Sequence, residues 1–309
     1  MKPNISVQMI AKENTVFGEK VFRACLNSLF EADYVSQLVI VDNGCSDPVQ
    51  SMMKDVVAKF INKDVQAEIV PFVGGDFSKL RNVALERTAP ETDYIHWVDT
   101  DEVYYPDKLT AFGAQLGASG ESVVVLNLVH FMIVPNHYQE IYPKDVVYRY
   151  NVNMTWGNGV HEKVQGASRG PTAHYDMPYL HFGYCRRQWR TALKWFHYDV
   201  IERGSANHYK MENVNGVVIP YFRGERTPDN IVGDRLLVSS KFKDIYPQVV
   251  IDEGFPLDAD EATWKEYLSR IDDETFWIEW QDMYNKCGAW EDTLDTVVSK
   301  AKEDDWRMV

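Results

Sequence analysis

The sequence is poor in cysteine. There are four in 309 residues, Cys25, Cys45, Cys185 and Cys287, and none forms a CxxC pair. Zinc ribbons and thioredoxin-type redox motifs are thereby excluded, and so thin a scatter suits a reducing compartment. Long apolar runs are also missing. The longest, Ser122–Val134, is interrupted by Asn127 and His130 and falls short of the ~20 residues that a bilayer-crossing helix needs. The opening MKPNISVQMI has no basic-then-apolar leader, so a cytoplasmic location is expected. Positive charge is scarce, with 32 Lys and Arg against 46 Asp and Glu and a formal charge of −14, which disfavours a general nucleic-acid binder. Phosphate-binding loops, dinucleotide glycine fingerprints and nucleophile elbows are absent.

Aromatic residues, by contrast, are plentiful at 13%. They suit a packed core or a site that stacks on sugar rings or bases. Charge is unevenly spread: residues 141–243 carry 15 basic and 9 acidic side chains, whereas 244–309 carry 6 basic and 18 acidic. The middle of the chain can therefore face an anion that the tail would repel.

The first hundred residues alternate strand and helix patterns. Ile5–Ile10 reads as a strand, and Glu19–Phe30 as a helix with Phe22, Cys25, Leu26, Leu29 and Phe30 on one stripe. Leu38–Val41 is a wholly apolar strand of the kind that a sheet covers on both faces. Asp47-Pro48 reads as a cap and first helical position, followed by a stripe from Val49 to Phe60. A strand at Ala67–Val73, a helix at Phe77–Arg87 and a strand at Tyr94–Val98 continue the series. This βαβαβαβ order implies a doubly wound, mostly parallel sheet, with its ligand beyond the carboxyl ends of the strands. Three polar segments meet there: Ala11–Asn14, Asp42-Asn43 and Asp99–Glu102. Beyond Pro106 the pattern loosens into strands at Val123–Val129, Val146–Arg149, Lys163–Gln165 and Tyr179–Tyr184. A basic-striped helix is expected from Arg186 to about Glu202, and after Ala259 the chain reads as helical and acidic. The domain expectation is a catalytic unit over 1–190 and a mainly helical extension over 191–309.

Asp99-Thr100-Asp101 directly follows an apolar strand. Two carboxylates one residue apart at a strand end suit Mg²⁺ or Mn²⁺ and the phosphates that such a cation bridges. The segments Ile5–Asn14, Leu38–Asp47, Asp76–Leu85, Asp93–Glu102 and Pro106–Leu109 together resemble family 2 glycosyltransferases in order, spacing and element type. The resemblance is strong over residues 4–110 and thinner to about 185. It implies the glycosyltransferase-A fold, whose nucleotide-binding half is Rossmann-like, and transfer from a nucleotide-diphosphate sugar, typically a UDP-sugar, usually with inversion.

The same resemblance implies roles at matching positions. Ala11 and Glu13 would line the nucleotide pocket, Asp42 would read the base, and Arg81 would contact the nucleotide. Asp99 would face the sugar or ribose, or join the metal, and Asp101 would hold the metal; Thr100 and Glu102 replace two aspartates that relatives carry here. The segment Trp156–Glu162 resembles the V-H-E loop of one branch of the family, which lies by the acceptor. An inverting transfer needs a base within hydrogen-bond reach of the acceptor hydroxyl. Glu162 is the first choice, His161 the alternative. His181, at the end of a late strand, is a candidate metal ligand. Arg186, Arg190 and Lys194, spaced four apart, could contact the donor diphosphate or an anionic acceptor, or form a solvated helix face. A glycan, a protein side chain or a hydroxyl-bearing modified DNA base are all open as acceptors. A non-catalytic sugar-nucleotide or glycan-binding module on the same fold is the rival reading. A sugar-nucleotide pyrophosphorylase is set aside, because no glycine follows the first strand until Gly18.

Overall fold

The computed structural model of the chain describes residues 2–186 except 75, 119, 133, 159–161 and 168–169, together with 209–214, 217–222, 236–237 and 246–271. It opens with four parallel strands: β1 (Ile5–Ala11), β2 (Gln37–Asp42), β3 (Gln66–Pro71) and β4 (Tyr94–Trp97). β1 pairs with both β2 and β4, and β2 with β3. β1, β2 and β4 are buried almost throughout, as expected for strands covered on both faces.

Three helices connect these strands. α1 (Val16–Glu31) starts one turn earlier than its apolar stripe suggests, because Thr15 caps it by accepting from the Gly18 N–H. A side chain at Gly18 would collide with the Glu13 carboxylate, so its bare Cα lets Glu13 fold back over the helix start. α2 (Asp47–Ile61) has Ser46, not Asp47, at its cap position and Pro48 in its first turn. α3 (Phe77–Leu85) is capped by Asp76, which accepts from the Lys79 N–H.

The second half of the sheet turns mixed. After β4 the chain crosses Asp99-Thr100-Asp101 into the short β5 (Glu102–Val103), then α4 (Pro106–Gln115). β6 (Val123–Met132) and β7 (Val134–Arg149) form a long antiparallel hairpin, and β7 also pairs with β4. The expected strand at Val146–Arg149 is thus only the end of a 16-residue strand. After β7, β8 (Thr155–Gly157) and β9 (Lys163–Gln165) make a separate two-stranded ribbon. β10 (Thr172–Tyr184) runs parallel to β6 and antiparallel to β5. The order across the main sheet is β3-β2-β1-β4-β7-β6-β10-β5.

Beyond residue 190 the described residues are not uniformly helical. β11 (Tyr209–Val214) and β12 (Val217–Phe222) form a hairpin, and β13 (Leu236–Leu237) adds to β7. α5 (Gln248–Ile251) and α6 (Glu261–Ile271) pack on α1. Val250 and Trp264 are completely buried in the same core as α1 and β10. Trp264 meets the Phe17 ring edge-on at 5.8 Å and donates its indole N–H to the Cys185 carbonyl at 2.9 Å. The described residues 246–271 thus share a core with α1 and β10. Apart from Arg186 itself, the helix expected over Arg186–Glu202, like the stripe around Trp290 and Val297, lies outside the described residues. No described helix is long and apolar enough to cross a membrane.

Candidate active site

The carboxyl ends of β1, β2 and β4 open onto one place, and the side chains there divide into three connected groups. The first is at the ends of β1 and β2. Ala11 and Glu13 are buried. Asp42 turns one carboxylate oxygen back onto its own loop, accepting from the Gly44 and Cys45 N–H groups at 3.1 and 2.8 Å; Gly44, at φ +84°, allows that turn. Glu13 accepts from the Thr100 hydroxyl at 3.0 Å and takes both arms of the Arg186 guanidinium at 2.7 and 3.1 Å. This two-armed geometry is the strong form of the Arg–carboxylate pair.

The second group surrounds Asp99. The Trp97 indole N–H donates to it at 2.9 Å, Lys144 Nζ lies at 3.1 Å, and the Arg81 guanidinium is 3.7 Å away. Lys144 also pairs at 2.7 Å with Glu102, which is completely buried. Burial alone would raise the Asp99 carboxyl; Lys144 and Arg81 outweigh it and hold the group below the ordinary carboxylate value. For Glu102 burial wins over the same lysine, pushing its pKa up to about 7. Burial would lower Lys144, but Asp99 and Glu102 hold it well above the usual lysine value.

The third group brings in the β8–β9 ribbon. Glu162, at the edge of β9, accepts from Arg81 Nε at 2.7 Å, with both side chains about 10% exposed. The Arg81 guanidinium lies 3.3 Å from the Trp97 ring centre and 4.8 Å from that of Trp156. Asn82 clamps Trp156 to α3 by donating to its carbonyl at 3.0 Å and accepting from its N–H at 2.8 Å. The neighbours Arg81 and Asn82 thus fasten the β8–β9 ribbon to α3 and the parallel half of the sheet. One Arg81 nitrogen, Nη1, is buried with no hydrogen-bond partner.

Asp101 closes the arrangement. Its Oδ1 is 3.4 Å from His181 Nε2, and its Oδ2 is 3.9 Å from Arg186. Backbone pairing enforces this approach: Glu102 lies opposite His181 between β5 and β10, and the Phe182 N–H donates to the Asp101 carbonyl at 2.9 Å. A Cβ on Gly183 would stand 2.5 Å from Asp101 Oδ2 and 2.7 Å from His181 Nε2. The missing side chain leaves that cradle open.

The donor set suits a divalent cation. Among the described residues five carboxylates (Glu13, Asp99, Asp101, Glu102, Glu162) meet three cations (Arg81, Lys144, Arg186), which leaves an excess of negative charge. Among the described residues no group of three or more His, Cys, Asp or Glu side chains could hold a metal ion. Asp101 and His181, 3.4 Å apart, are two side chains that could each offer a ligand. Such a pair would suit a cation held by one or two protein groups and completed by substrate phosphates and water.

Among the expected site residues, direct side-chain contacts join Glu13, Arg186, Asp101 and His181 in one set and Arg81, Asp99 and Glu162 in another. Asp42 and Ala11 flank them at adjacent strand ends. His161, Arg190 and Lys194 lie outside the described residues. Sequence reasoning missed Lys144, whose Pro143-Lys144-Asp145 context reads as a turn, and His130, which lies inside an apolar strand.

The sequence profile of glycosyl transferase family 2 matches residues 6–182. The chain belongs to glycosyl transferase family 2. This glycosyltransferase has no match among curated proteins. Its likeness to solved structures is distant. TarS residues 1–349 from S. aureus, in complex with UDP, is 22% identical over 41% of this chain and 36% of that one, with a TM-score of 0.34. The TarS 1–349 complex with UDP-GlcNAc gives 22% identity over 41% and 35%, with a TM-score of 0.33. The mannosyltransferase PcManGT from Pyrobaculum calidifontis, in complex with GDP-Man and Mn²⁺, is 13% identical over 48% and 45%, with a TM-score of 0.36. The chain thus spans less than half the length of each.

Proposed function

We propose that this glycosyltransferase moves a sugar from a UDP-sugar to an acceptor hydroxyl with inversion, using Mn²⁺ or Mg²⁺. The observation that supports the reading is that the turn after β4 carries two acids with different partners: Asp101 lies 3.4 Å from His181 of β10, and Asp99 is joined through Arg81 to Glu162 of the β8–β9 ribbon. The nucleotide occupies the ends of β1 and β2, where Ala11, Glu13 and Asp42 line the pocket. Asp101 and His181 hold the cation, which when bound offsets the charge that builds on the leaving diphosphate.

The remaining work falls to the chain's own groups. Asp99, fixed by Trp97 and Lys144, accepts hydroxyl hydrogen bonds from the donor sugar or ribose. Glu162 takes the acceptor proton as the acceptor oxygen attacks the anomeric carbon and the carbon–oxygen bond to the diphosphate breaks. Arg81 keeps the Glu162 carboxylate aimed from the nucleotide side. Arg186 exchanges Glu13 for the diphosphate when the donor enters, since the same guanidinium fork matches both.

A glycan, a protein side chain and a hydroxyl-bearing modified DNA base are the acceptor classes consistent with the basic middle segment. A screen of nucleotide sugars, with Mn²⁺, Mg²⁺ or a chelator, tests the donor and the cation together. UDP-sugar hydrolysis that stops with chelator and in Asp101→Asn supports the reading. Donor binding with no turnover toward any acceptor or water would favour a non-catalytic binding module. Asp101→Asn activity near wild type at saturating metal would remove Asp101 from the site.

A further inference from the structure

Beside the proposed cation ligands stands a second histidine to which none of the chemistry above gives a role. His130 on β6 and His181 on β10 are direct register partners. Their rings meet edge-to-face with centres 4.6 Å apart, and the two Nδ1 atoms are 3.0 Å from each other. A contact of that length between two imidazole nitrogens holds a single proton: two lone pairs would repel, and two N–H groups would collide. The other nitrogen of His181, Nε2, faces Asp101. Tyr184 flanks both rings, at 5.8 Å from His130 and 5.5 Å from His181.

We propose that His130 is a positioning residue for His181, accepting the His181 Nδ1 proton so that the Nε2 lone pair is presented to the cation beside Asp101. The inference rests on the reading that Asp101 and His181 hold that cation. Its logic is chemical. A neutral imidazole has one N–H and one lone pair, and the partner of one nitrogen decides which is which. Histidines that bind metals ordinarily give their second N–H to a carboxylate or a carbonyl. Here the group in that place is another imidazole, held at the same level of the sheet by strand pairing. Because His130 can also donate from Nδ1, the pair keeps its hydrogen bond whichever ring carries the proton. His181 can thus donate from Nε2 to Asp101 while no cation is bound, and present the lone pair when one is.

The test is Mn²⁺ binding to the full chain, followed by the loss of the free-ion EPR signal, in wild type, His130→Phe, His130→Asn, His181→Ala and Asp101→Asn. His130→Phe keeps a ring but removes the acceptor, and should weaken Mn²⁺ binding ~10–100-fold. His130→Asn places an amide oxygen where Nδ1 stood and should recover most of the affinity. With Mg²⁺, imidazole ¹⁵N spectra should show His181 protonated at Nδ1 in wild type and in His130→Asn, but not in His130→Phe. Equal Mn²⁺ affinity in His130→Phe and wild type, or His130→Asn no better than His130→Phe, would overturn the inference and leave His130 as a packing residue. If His181→Ala and Asp101→Asn also bind Mn²⁺ like wild type, the cation site itself is wrong. If those two lose binding and His130→Phe does not, only the role of His130 fails.

Discussion

Replacing Trp264 by alanine tests whether the segment after residue 245 belongs to the catalytic core. The side chain is completely buried, packs on Phe17 and Phe255, and carries the N–H that satisfies the Cys185 carbonyl. Removing a buried tryptophan costs about 3–5 kcal/mol through lost transfer energy and the cavity left behind. A carbonyl left without its donor adds about 1–3 kcal/mol. The total, roughly 4–8 kcal/mol, is of the order of the whole stability of an ordinary domain. Urea unfolding followed by fluorescence should show the transition midpoint collapse in Trp264→Ala. Trp264→Phe keeps most of the packing and should lose chiefly the hydrogen-bond part. Because Cys185 lies between Tyr184 and Arg186, Trp264→Phe should also weaken donor binding while remaining folded. A loss below about 1 kcal/mol in Trp264→Ala would refute the reasoning, since a side chain so placed in a core cannot be removed that cheaply.

Other outcomes follow from the site. Glu162→Gln should keep donor affinity by calorimetry and lower the transfer rate ~10²–10⁴-fold; if His161→Ala is the more damaging change, the base is assigned to the wrong neighbour. Lys144→Met leaves partly exposed Asp99 and buried Glu102 without their shared cation and should cost about 1–3 kcal/mol in urea, with Lys144→Met/Glu102→Gln recovering a large part. A Lys144→Met protein as stable as wild type would show that Lys144 does not compensate these acids. His96 is completely buried, and burial first, then Lys144, lowers its pKa to about 3. Its folded value lies below its unfolded one, so the stability it supports is present above pH ~6.5 and is lost as pH falls toward 3, by up to about 5 kcal/mol. His96→Gln should flatten that acid limb in pH-dependent unfolding, and an unchanged limb would mean that other groups govern acid denaturation.

The parallel half of the sheet was readable because each piece carries its own signal. The stripe of α1, the apolar β2 and the Pro48 and Asp76 helix starts are local features, and local features survive into the structure. The strand-end acids were readable for the same reason. Residues whose meaning is set by a distant partner were not. Lys144 looks like part of a turn beside Pro143 until Asp99 and Glu102 are seen across the sheet. His130 looks like an interruption of an apolar run until β10 places His181 opposite. Arg81 was expected to serve the nucleotide; that its guanidinium also lies between Asp99 and Glu162 against two tryptophans depends on the β8–β9 ribbon and not on its own helix alone. The packing of α6 was hidden in the same way, because an amphipathic stripe shows that a helix packs but not on what.

The pairing of β5 with β10 also bears on the birth of the enzyme. Glu102 and His181 are far apart in the chain, yet they face each other across a two-residue strand. During synthesis the nucleotide-binding strands are complete long before β10 leaves the ribosome, and contacts between distant segments are slow to form because the intervening chain must first be ordered. A nascent chain would therefore hold a formed base pocket beside acids that have no histidine to meet. The ability to cleave a donor would arrive as a late event, gated by the docking of one strand. A ribosome-stalled chain ending before Thr172 should accordingly bind nucleotide without hydrolysing it.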